Sequence, residues 1–504
     1  MNTDTIVAPA TPAGTAALHL IRLSGGEALD LVNRHFRKFK LQQKLVAAKE
    51  DQAANDQSFD PASRSSRPRA RIEIFGEDFD LRKSKSHKLV YGSILDNSGR
   101  VLDEVVLSLF RQPGSYTGED VVEISCHGSP FISDAIVRLF IDSGARLAEP
   151  GEFSMRAFLN GKMDLSQTEA VADLIASQSA AAHRLAMRQL RGGVSDAIGK
   201  LREQLIDFAS LIELELDFGE EDVEFADRTQ LQQLVQQIRG RIGELSDSFR
   251  LGNALKNGIP TVIAGRPNAG KSTLLNALLQ EDRAIVSDVA GTTRDTIEEV
   301  IQIEGVAFRL IDTAGLRQTT DEVEAIGVER TLAKVRESQL LVYVFDVVDM
   351  QPENLTAALN ELYQPETELL IVANKMDLNP YTSYEHYFNE AKDLKWPMKP
   401  DRWVPMVARN AQNLDLLRER VYEFGVGQDW AGENLILTNA RHYAALQAAD
   451  RDLQAVETGL ASGITSDFVA MDIRAALRHL GEIAGEVSTD DLLGNIFSNF
   501  CIGK

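Results

Sequence analysis

The stretch Gly265-Arg-Pro-Asn-Ala-Gly-Lys271-Ser272 constrains the fold of this chain more than any other. It fits the pattern G-x-x-x-x-G-K-[ST], which works only where a strand feeds a glycine-rich loop into a helix. An apolar run at 261–264 precedes it and a helix-like run at 273–279 follows. In such a loop, backbone N–H groups turn inward around phosphate oxygens and the helix N-terminus adds partial positive charge. Lys271 then meets the β- and γ-phosphates, and the Ser272 hydroxyl ligates Mg2+. Asn268, Ala269, Gly270 and Thr273 complete the cradle. Strand-like runs at 261–264, 308–311, 340–345 and 369–373 alternate with helical ones over 258–425, which predicts a parallel sheet.

Three further motifs follow in order. Asp312, Thr313, Ala314 and Gly315 come after the run at 308–311, where an acid can hold Mg2+ through water and a glycine N–H can meet the γ-phosphate. Asn374, Lys375, Met376 and Asp377 come after the next buried run. A carboxylate there accepts from guanine N1–H and N2–H2; adenine lacks both donors and would leave the acid unpaired, so the nucleotide is GTP. Between the first two motifs stand Gly291, Thr292, Thr293 and Arg294, and Thr293 is the candidate second Mg2+ ligand. Each short motif alone is readily a turn or a cap; four in this order are a GTPase.

Two features depart from the familiar small GTPases. Leu316 follows Gly315 where those proteins carry a water-orienting glutamine, so another group must hold the attacking water. Asn268, otherwise an ordinary turn residue, offers an amide oxygen to a monovalent cation, which could supply the charge of an absent arginine finger.

Around this region the pattern changes. Leu201, Leu205, Phe208 and Ile212, and then Leu231, Leu234, Ile238, Ile242 and Leu245, each form one helical stripe. Ile473, Leu477, Leu480 and Val487 continue the pattern after 430, and residues 488–491 resemble a capping segment for a last short helix. The economical arrangement is an α/β domain inserted into a helical bundle made from both flanking segments. Apolar runs at 17–23, Val101–Phe110 and 121–125 indicate an α+β N-terminal domain. Residues 38–88 are polar, with basic clusters at 64–71 and 82–85, and read as a solvated insertion, with an RNA-contacting loop as the alternative.

With 504 residues, the chain has room for about three domains. No run of about 18 apolar residues occurs, so no membrane-spanning helix is expected. The first residues lack the features of a signal or transit peptide, and two cysteines form no disulfide framework; both suit the cytoplasm. A formal net charge of −22 repels nucleic acid at long range, so any RNA contact needs a local basic patch or a second protein.

Stretches outside the nucleotide motifs carry a family resemblance: Asp4-Thr-Ile-Val-Ala-Pro-Ala-Thr-Pro12, Tyr116-Thr-Gly-Glu-Asp120, Pro150-Gly-Glu-Phe153, Arg156-Ala-Phe-Leu-Asn160 and the terminal Phe500-Cys-Ile-Gly-Lys504. Over nearly its whole length except about 38–88, the chain resembles the MnmE (TrmE) family of tRNA modification GTPases, within the TrmE-Era-EngA-like group. The resemblance implies domains at 1–162 (tetrahydrofolate-binding and dimerising), 163–257 (helical), 258–425 (Ras-like G domain) and 426–504 (helical, with the terminal motif). It implies K+ held by Asn268, Ser287, Val289 and Thr292, in a loop that also contains Asp288 and Ala290. Glu324 would orient the water, with Arg317 beside it. Arg22, Glu123, Lys162 and Lys504 would bind 5,10-methylenetetrahydrofolate or 5-formyltetrahydrofolate. The family works as a homodimer that forms a heterotetramer with MnmG, a partner carrying FAD, and builds a C5 aminomethyl or carboxymethylaminomethyl group on tRNA uridine 34. Cys501 is a candidate reactive thiol, with terminal packing as the alternative.

The sequence departs from the family at Gly14-Thr-Ala-Ala17, where a glycine-rich stretch is usual, and at Val407, Ala408 and Arg409, where the guanine-supporting motif usually begins with serine. A ribosome-assembly GTPase of the Era/Der type shares the nucleotide motifs but lacks the terminal Cys-Ile-Gly-Lys.

Overall fold

In the computed structural model, the described residues are 4–38, 79–217, 228–282, 298–312, 332–388, 394–427, 435–462, 464–486, 490–498 and 500–503. They form two compact units, Met1–Asp164 with Ser488–Lys504, and Leu165–Val487.

The first unit is built on seven strands. In chain order its elements are β1 (Ile6–Pro9), β2 (Leu18–Ser24), α1 (Ala28–His35), β3 (Phe36–Lys38), β4 (Lys88–Leu95), β5 (Val101–Phe110), β6 (Val121–His127), α2 (Pro130–Asp142), β7 (Arg146–Leu147) and α3 (Glu152–Leu159). The sheet order is β3-β4-β5-β6-β2-β1-β7, antiparallel except for the β1–β7 pair. In β5, Asp103, Val105, Leu107 and Leu109 are buried and the residues between them are not, the period of two that a half-covered sheet requires. Leu107, Ile124, Leu31, Ile136 and Phe140 meet in the core between the sheet and helices α1 and α2.

Part of the polar stretch at 38–88 re-enters this core. Leu81 is fully buried, its N–H donates to Asn33 Oδ1 at 2.8 Å, and Phe79 meets Phe36 edge-on. Arg82, in the second basic cluster, is bonded to Asp80. The expectation of a solvated insertion therefore fails at Phe79 and Leu81, two apolar side chains that interrupt the polar composition, while Arg82 and Lys83 are exposed. The cluster at 64–71 lies outside the described residues.

The second unit opens with α4 (Leu165–Ala176), α5 (Ala180–Leu190), α6 (Gly193–Asp217) and α7 (Arg228–Asn257). Next come β8 (Ile259–Ala264), α8 (Lys271–Asp282), β9 (Glu298–Ile303), β10 (Val306–Asp312), β11 (Leu340–Asp346), α9 (Pro352–Glu361), β12 (Glu368–Asn374), α10 (Tyr384–Phe388), β13 (Trp403–Pro405) and α11 (Leu414–Val426). The unit closes with α12 (Ala440–Ser462) and α13 (Ser466–Ala484). The sheet order is β13-β12-β11-β8-β10-β9. Five strands are parallel, as expected, but the edge strand β9 runs antiparallel to β10. Its hairpin turn is Glu304-Gly305, both at positive φ.

Helices from both flanking segments share one core: Leu205 and Ile212 of α6, Ile238 of α7, Leu453 of α12 and Ile473 of α13. A buried ion cluster also joins them, with Glu169 of α4 bonded to Arg441 at 2.9 Å and to His442 Nε2 at 2.8 Å, both on α12. Helix α13 stops at Gly485, whose φ of +82 closes the last turn, and Val487 lies outside the described residues.

The chain ends back in the first unit. Helix α14 (Asp490–Phe497) packs on α3, and a Cβ at Gly151 would sit 2.7 Å from the Phe497 carbonyl. Residues 488–504 thus leave the helical segment to which the sequence assigns them.

Candidate functional site

The nucleotide loop forms where β8 ends against β11. Gly265, at φ +144, runs so close to β11 that a Cβ would lie 2.0 Å from the Val344 carbonyl. Asn268 turns the loop at φ +61 and Gly270 at φ +100; a Cβ on Gly270 would lie 2.1 Å from Asn374 Nδ2. Helix α8 starts at the next residue, so the positive end of its dipole lies at the loop. Lys271 is buried, with Nζ donating to the Gly265 carbonyl at 2.9 Å and the Arg266 carbonyl at 2.8 Å. Its ammonium is stretched across the loop mouth, where anionic oxygens are stronger acceptors than carbonyls. Ser272 and Thr273 are exposed on the first turn of α8.

Asn374 ties the loop to the base-side motifs. Its Nδ2 donates to the Ala269 carbonyl at 2.7 Å, and its Oδ1 accepts from the Ala408 N–H at 2.9 Å. Met376 N–H donates to the Met406 carbonyl at 3.2 Å, which holds the two base-side segments side by side. Lys375, at φ +64, extends to Asp346 Oδ2 at 2.6 Å. Asp377 and Arg409 are exposed, while Val407 and Ala408 are buried. The apolar Val407 side chain has no hydroxyl to offer the exposed carboxylate of Asp377. The sequence reading missed Asp346; its signal was a lone charge closing the apolar run of β11.

The structure therefore brings together Asn268, Ala269, Gly270, Lys271, Asn374, Lys375 and Ala408. Asp312 ends β10 beside β8, its backbone paired with Ile263. Ser287, Asp288, Val289, Ala290, Gly291, Thr292, Thr293, Thr313, Ala314, Gly315, Arg317 and Glu324 lie outside the described residues.

A second constellation lies in the first unit. Arg22 and Glu123 are register partners on β2 and β6, bonded through Nε at 2.9 Å and through Nη2 at 2.7 Å. The Arg22 guanidinium carbon also lies 5.6 Å from the ring centres of both Tyr116 and Phe153. Burial pushes the Tyr116 phenol up, and its hydroxyl is within 2.8 Å of Ser154 Oγ. The remaining donor of Arg22 reaches the Gly503 carbonyl at 3.2 Å. Gly503 is seated so closely that a Cβ would lie 2.1 Å from the Pro9 carbonyl. Lys162 instead donates to the Pro113 carbonyl at 2.8 Å. Cys501 is exposed, and its carbonyl accepts from Gly151 N–H at 3.3 Å. Lys504 lies outside the described residues.

Comparison with known proteins identifies the family. The family model for the MnmE helical domain matches residues 165–501, and that for the GTP-binding protein TrmE N-terminus matches residues 63–162. The chain belongs to the MnmE family of tRNA modification GTPases. The tRNA modification GTPase MnmE of Christiangramia forsetii is 46% identical, over 99% of this chain and 99% of its own length. That of Flavobacterium johnsoniae is 45% identical over 100% of both. Among solved structures, Aquifex aeolicus Era bound to GDP.AlF4− has 22% identity and a TM-score of 0.26, covering 38% of this chain and 66% of that one. A Sulfolobus solfataricus GTP-binding protein with GDP has 18% identity and a TM-score of 0.27, covering 59% and 76%. As an MnmE-family member, the chain is a GTP hydrolase acting in tRNA modification. Among the described residues, no helix is long and apolar enough to cross a membrane.

Proposed function

We propose that this chain hydrolyses GTP with K+ stimulation and, together with the FAD-dependent protein MnmG, forms the 5-carboxymethylaminomethyl or aminomethyl group on uridine 34 of certain tRNAs. The observation that carries the nucleotide half is the Asn374 bridge, which joins the phosphate loop and the base-side loop in one rigid frame. In this reading Lys271 holds the β- and γ-phosphate oxygens, and Asp377 selects guanine through its two N–H donors. Ser272 and Thr293 hold Mg2+, which neutralises developing phosphate charge. Asn268, Ser287, Val289 and Thr292 hold K+, and the exposed Asn268 at positive φ is compatible with that role. Glu324 orients the water that attacks the γ-phosphorus, with Arg317 adjacent, and GDP leaves with the bridging oxygen.

In the first unit, Arg22 lies against two aromatic rings and is paired with Glu123, a cation and a carboxylate whose chemistry fits a pterin with its glutamate tail. Lys162 and Lys504 would add charge for the tail carboxylates, and bound methylenetetrahydrofolate or formyltetrahydrofolate supplies the one-carbon unit. The reading includes a homodimer through the first unit, a heterotetramer with MnmG, tRNA as substrate and a cytoplasmic location.

Reconstitution tests it. Purified chain, MnmG, tRNA, GTP and methylenetetrahydrofolate should yield modified uridine 34, and GTP turnover should be several-fold faster in KCl than in NaCl at equal ionic strength. Equal rates in the two salts would remove the cation role of Asn268, and unmodified tRNA would remove the folate role.

A further inference from the structure

The constellation of Arg22, Glu123 and Tyr116 is tied to a buried ion cluster whose centre is Arg156 of α3, only 6% exposed. On one side of its guanidinium, Nη1 donates to the Asp4 carbonyl at 2.9 Å and to both carboxylate oxygens of Glu119 at 3.2 Å. On the other, Nη2 donates to Asp4 Oδ1 at 2.8 Å and to Glu152 Oε1 at 2.9 Å. Arg146 closes the cluster, donating to Asp4 Oδ2 at 2.7 Å and to Glu152 Oε2 at 3.0 Å. Arg146 and Arg156 hold the Asp4 carboxyl below its usual range. Burial pushes the Glu152 carboxyl up, but the same two arginines outweigh it and hold that group down as well.

The residues that the cluster ties down neighbour the groups of that constellation in the chain. Glu119 Oε2 accepts at 2.7 Å from Ser24 Oγ, which ends the strand β2 that carries Arg22. Ser24 Oγ also lies 2.7 Å from Thr117 Oγ1, the residue after Tyr116. The loop at 116–120 runs directly into β6, which carries Glu123. Glu152 and Arg156 flank Phe153, whose ring lies against Arg22, and Ser154, whose hydroxyl meets that of Tyr116. Asn160, which follows α3 and precedes Lys162 by two residues, donates to the Thr117 carbonyl at 2.7 Å. One guanidinium therefore sets β2, the 116–120 loop and α3 relative to one another.

Desolvating so many charges offsets much of what their attraction returns, so apolar side chains of similar volume would stabilise the unit about as well. Geometry is what the cluster adds, because a planar guanidinium fixes each acceptor along a set N–H direction. A binding site needs its contacting groups held to within about 0.5 Å, and the hydrogen bonds of their supporting residues supply that.

We propose that Arg156 is a positioning residue for folate binding, acting through Glu119, Ser24 and Asp4 to hold Arg22, Tyr116 and Glu123 in the arrangement that receives the pterin. The proposal rests on the folate reading of the first unit. Arg156 is buried with both terminal nitrogens engaged by protein acceptors, so its influence passes through those partners.

Calorimetric titration of the full-length chain with 5-formyltetrahydrofolate tests this, because it reads affinity and stoichiometry separately. For Arg156→Gln the expected result is a Kd raised at least tenfold at the wild-type stoichiometry. A role confined to stability would instead lower the stoichiometry, through unfolded chains, and leave Kd unchanged. In tRNA modification reconstituted with MnmG, KM for methylenetetrahydrofolate should rise by a similar factor while kcat stays within threefold, the pattern of a lost binding contribution. Glu119→Gln keeps the side-chain shape and removes the charge, and should raise Kd at least threefold; it carries the test should Arg156→Gln not fold. The double variant should lose no more affinity than Arg156→Gln alone, since the two residues act through one contact. Unchanged Kd in the variants, at full or reduced stoichiometry, overturns the positioning role and leaves the folate reading intact. Failure of the wild type to bind 5-formyltetrahydrofolate overturns both.

Discussion

Asn374 Nδ2 lies 2.7 Å from the Ala269 carbonyl, and that bond joins the phosphate loop to the strand carrying the base-side motif. With its Oδ1 accepting from Ala408, the side chain satisfies two backbone groups that are both buried.

Replacing Asn374 with alanine should leave both groups without partners, at about 1–3 kcal/mol each. Since about 1.4 kcal/mol is tenfold in affinity, GTP affinity should fall at least tenfold. Titration with a fluorescent guanine nucleotide measures this. An unchanged affinity would mean the loops hold their shape without the bridge.

Glu169 should make the second unit acid-sensitive. Burial alone would push its carboxyl up, but hydrogen bonds and charge from His442 and Arg441 outweigh that and hold it down to about 2. A carboxylate depressed on folding contributes stability above its unfolded pKa of about 4.5 and loses it as pH falls through the folded value. The contribution is on the order of 3 kcal/mol. Wild type should therefore exceed Glu169→Gln in denaturant stability at pH 7, with the gap closing between about pH 4.5 and 2. A constant gap across that window would count against the ion cluster.

Gly503 should be intolerant of any side chain. Its φ of +93 and the 2.1 Å approach to the Pro9 carbonyl leave no room for a Cβ. Gly503→Ala should displace the tail from Arg22 and weaken formyltetrahydrofolate binding at least tenfold in calorimetry. Undiminished binding would separate the tail from the folate site.

Glu324→Ala should lower GTP turnover at least tenfold with GTP affinity nearly unchanged, since a water-orienting group acts mainly in the transition state. Single-turnover assays separate the two quantities. Full turnover would assign the water to another residue.

Much of this architecture was legible in local pattern. The alternation in Val101–Phe110 matched a strand to the residue, and the stripes at 201–212 and 231–245 became core seams of α6 and α7. The phosphate loop could be read because its glycines have a steric purpose. What escaped depended on distant contacts. Edge strand β9 is short and half polar, and only its pairing with β10 shows its antiparallel direction. Helix α4 buries Ser166, Thr168 and Glu169, and the partners of Glu169 lie far along the chain, so the ion cluster it forms with α12 had no local signal. The seating of the tail beside Arg22 joins residues 481 positions apart, and Asp346 gained meaning only when Lys375 reached it.

The most direct test of the account is mass analysis of uridine 34 nucleosides in tRNA from cells lacking this chain. The account predicts loss of the C5 aminomethyl-type modification, restored by the wild-type gene but not by one encoding Asn374→Ala. Normal uridine 34 modification in the deletion strain would contradict it.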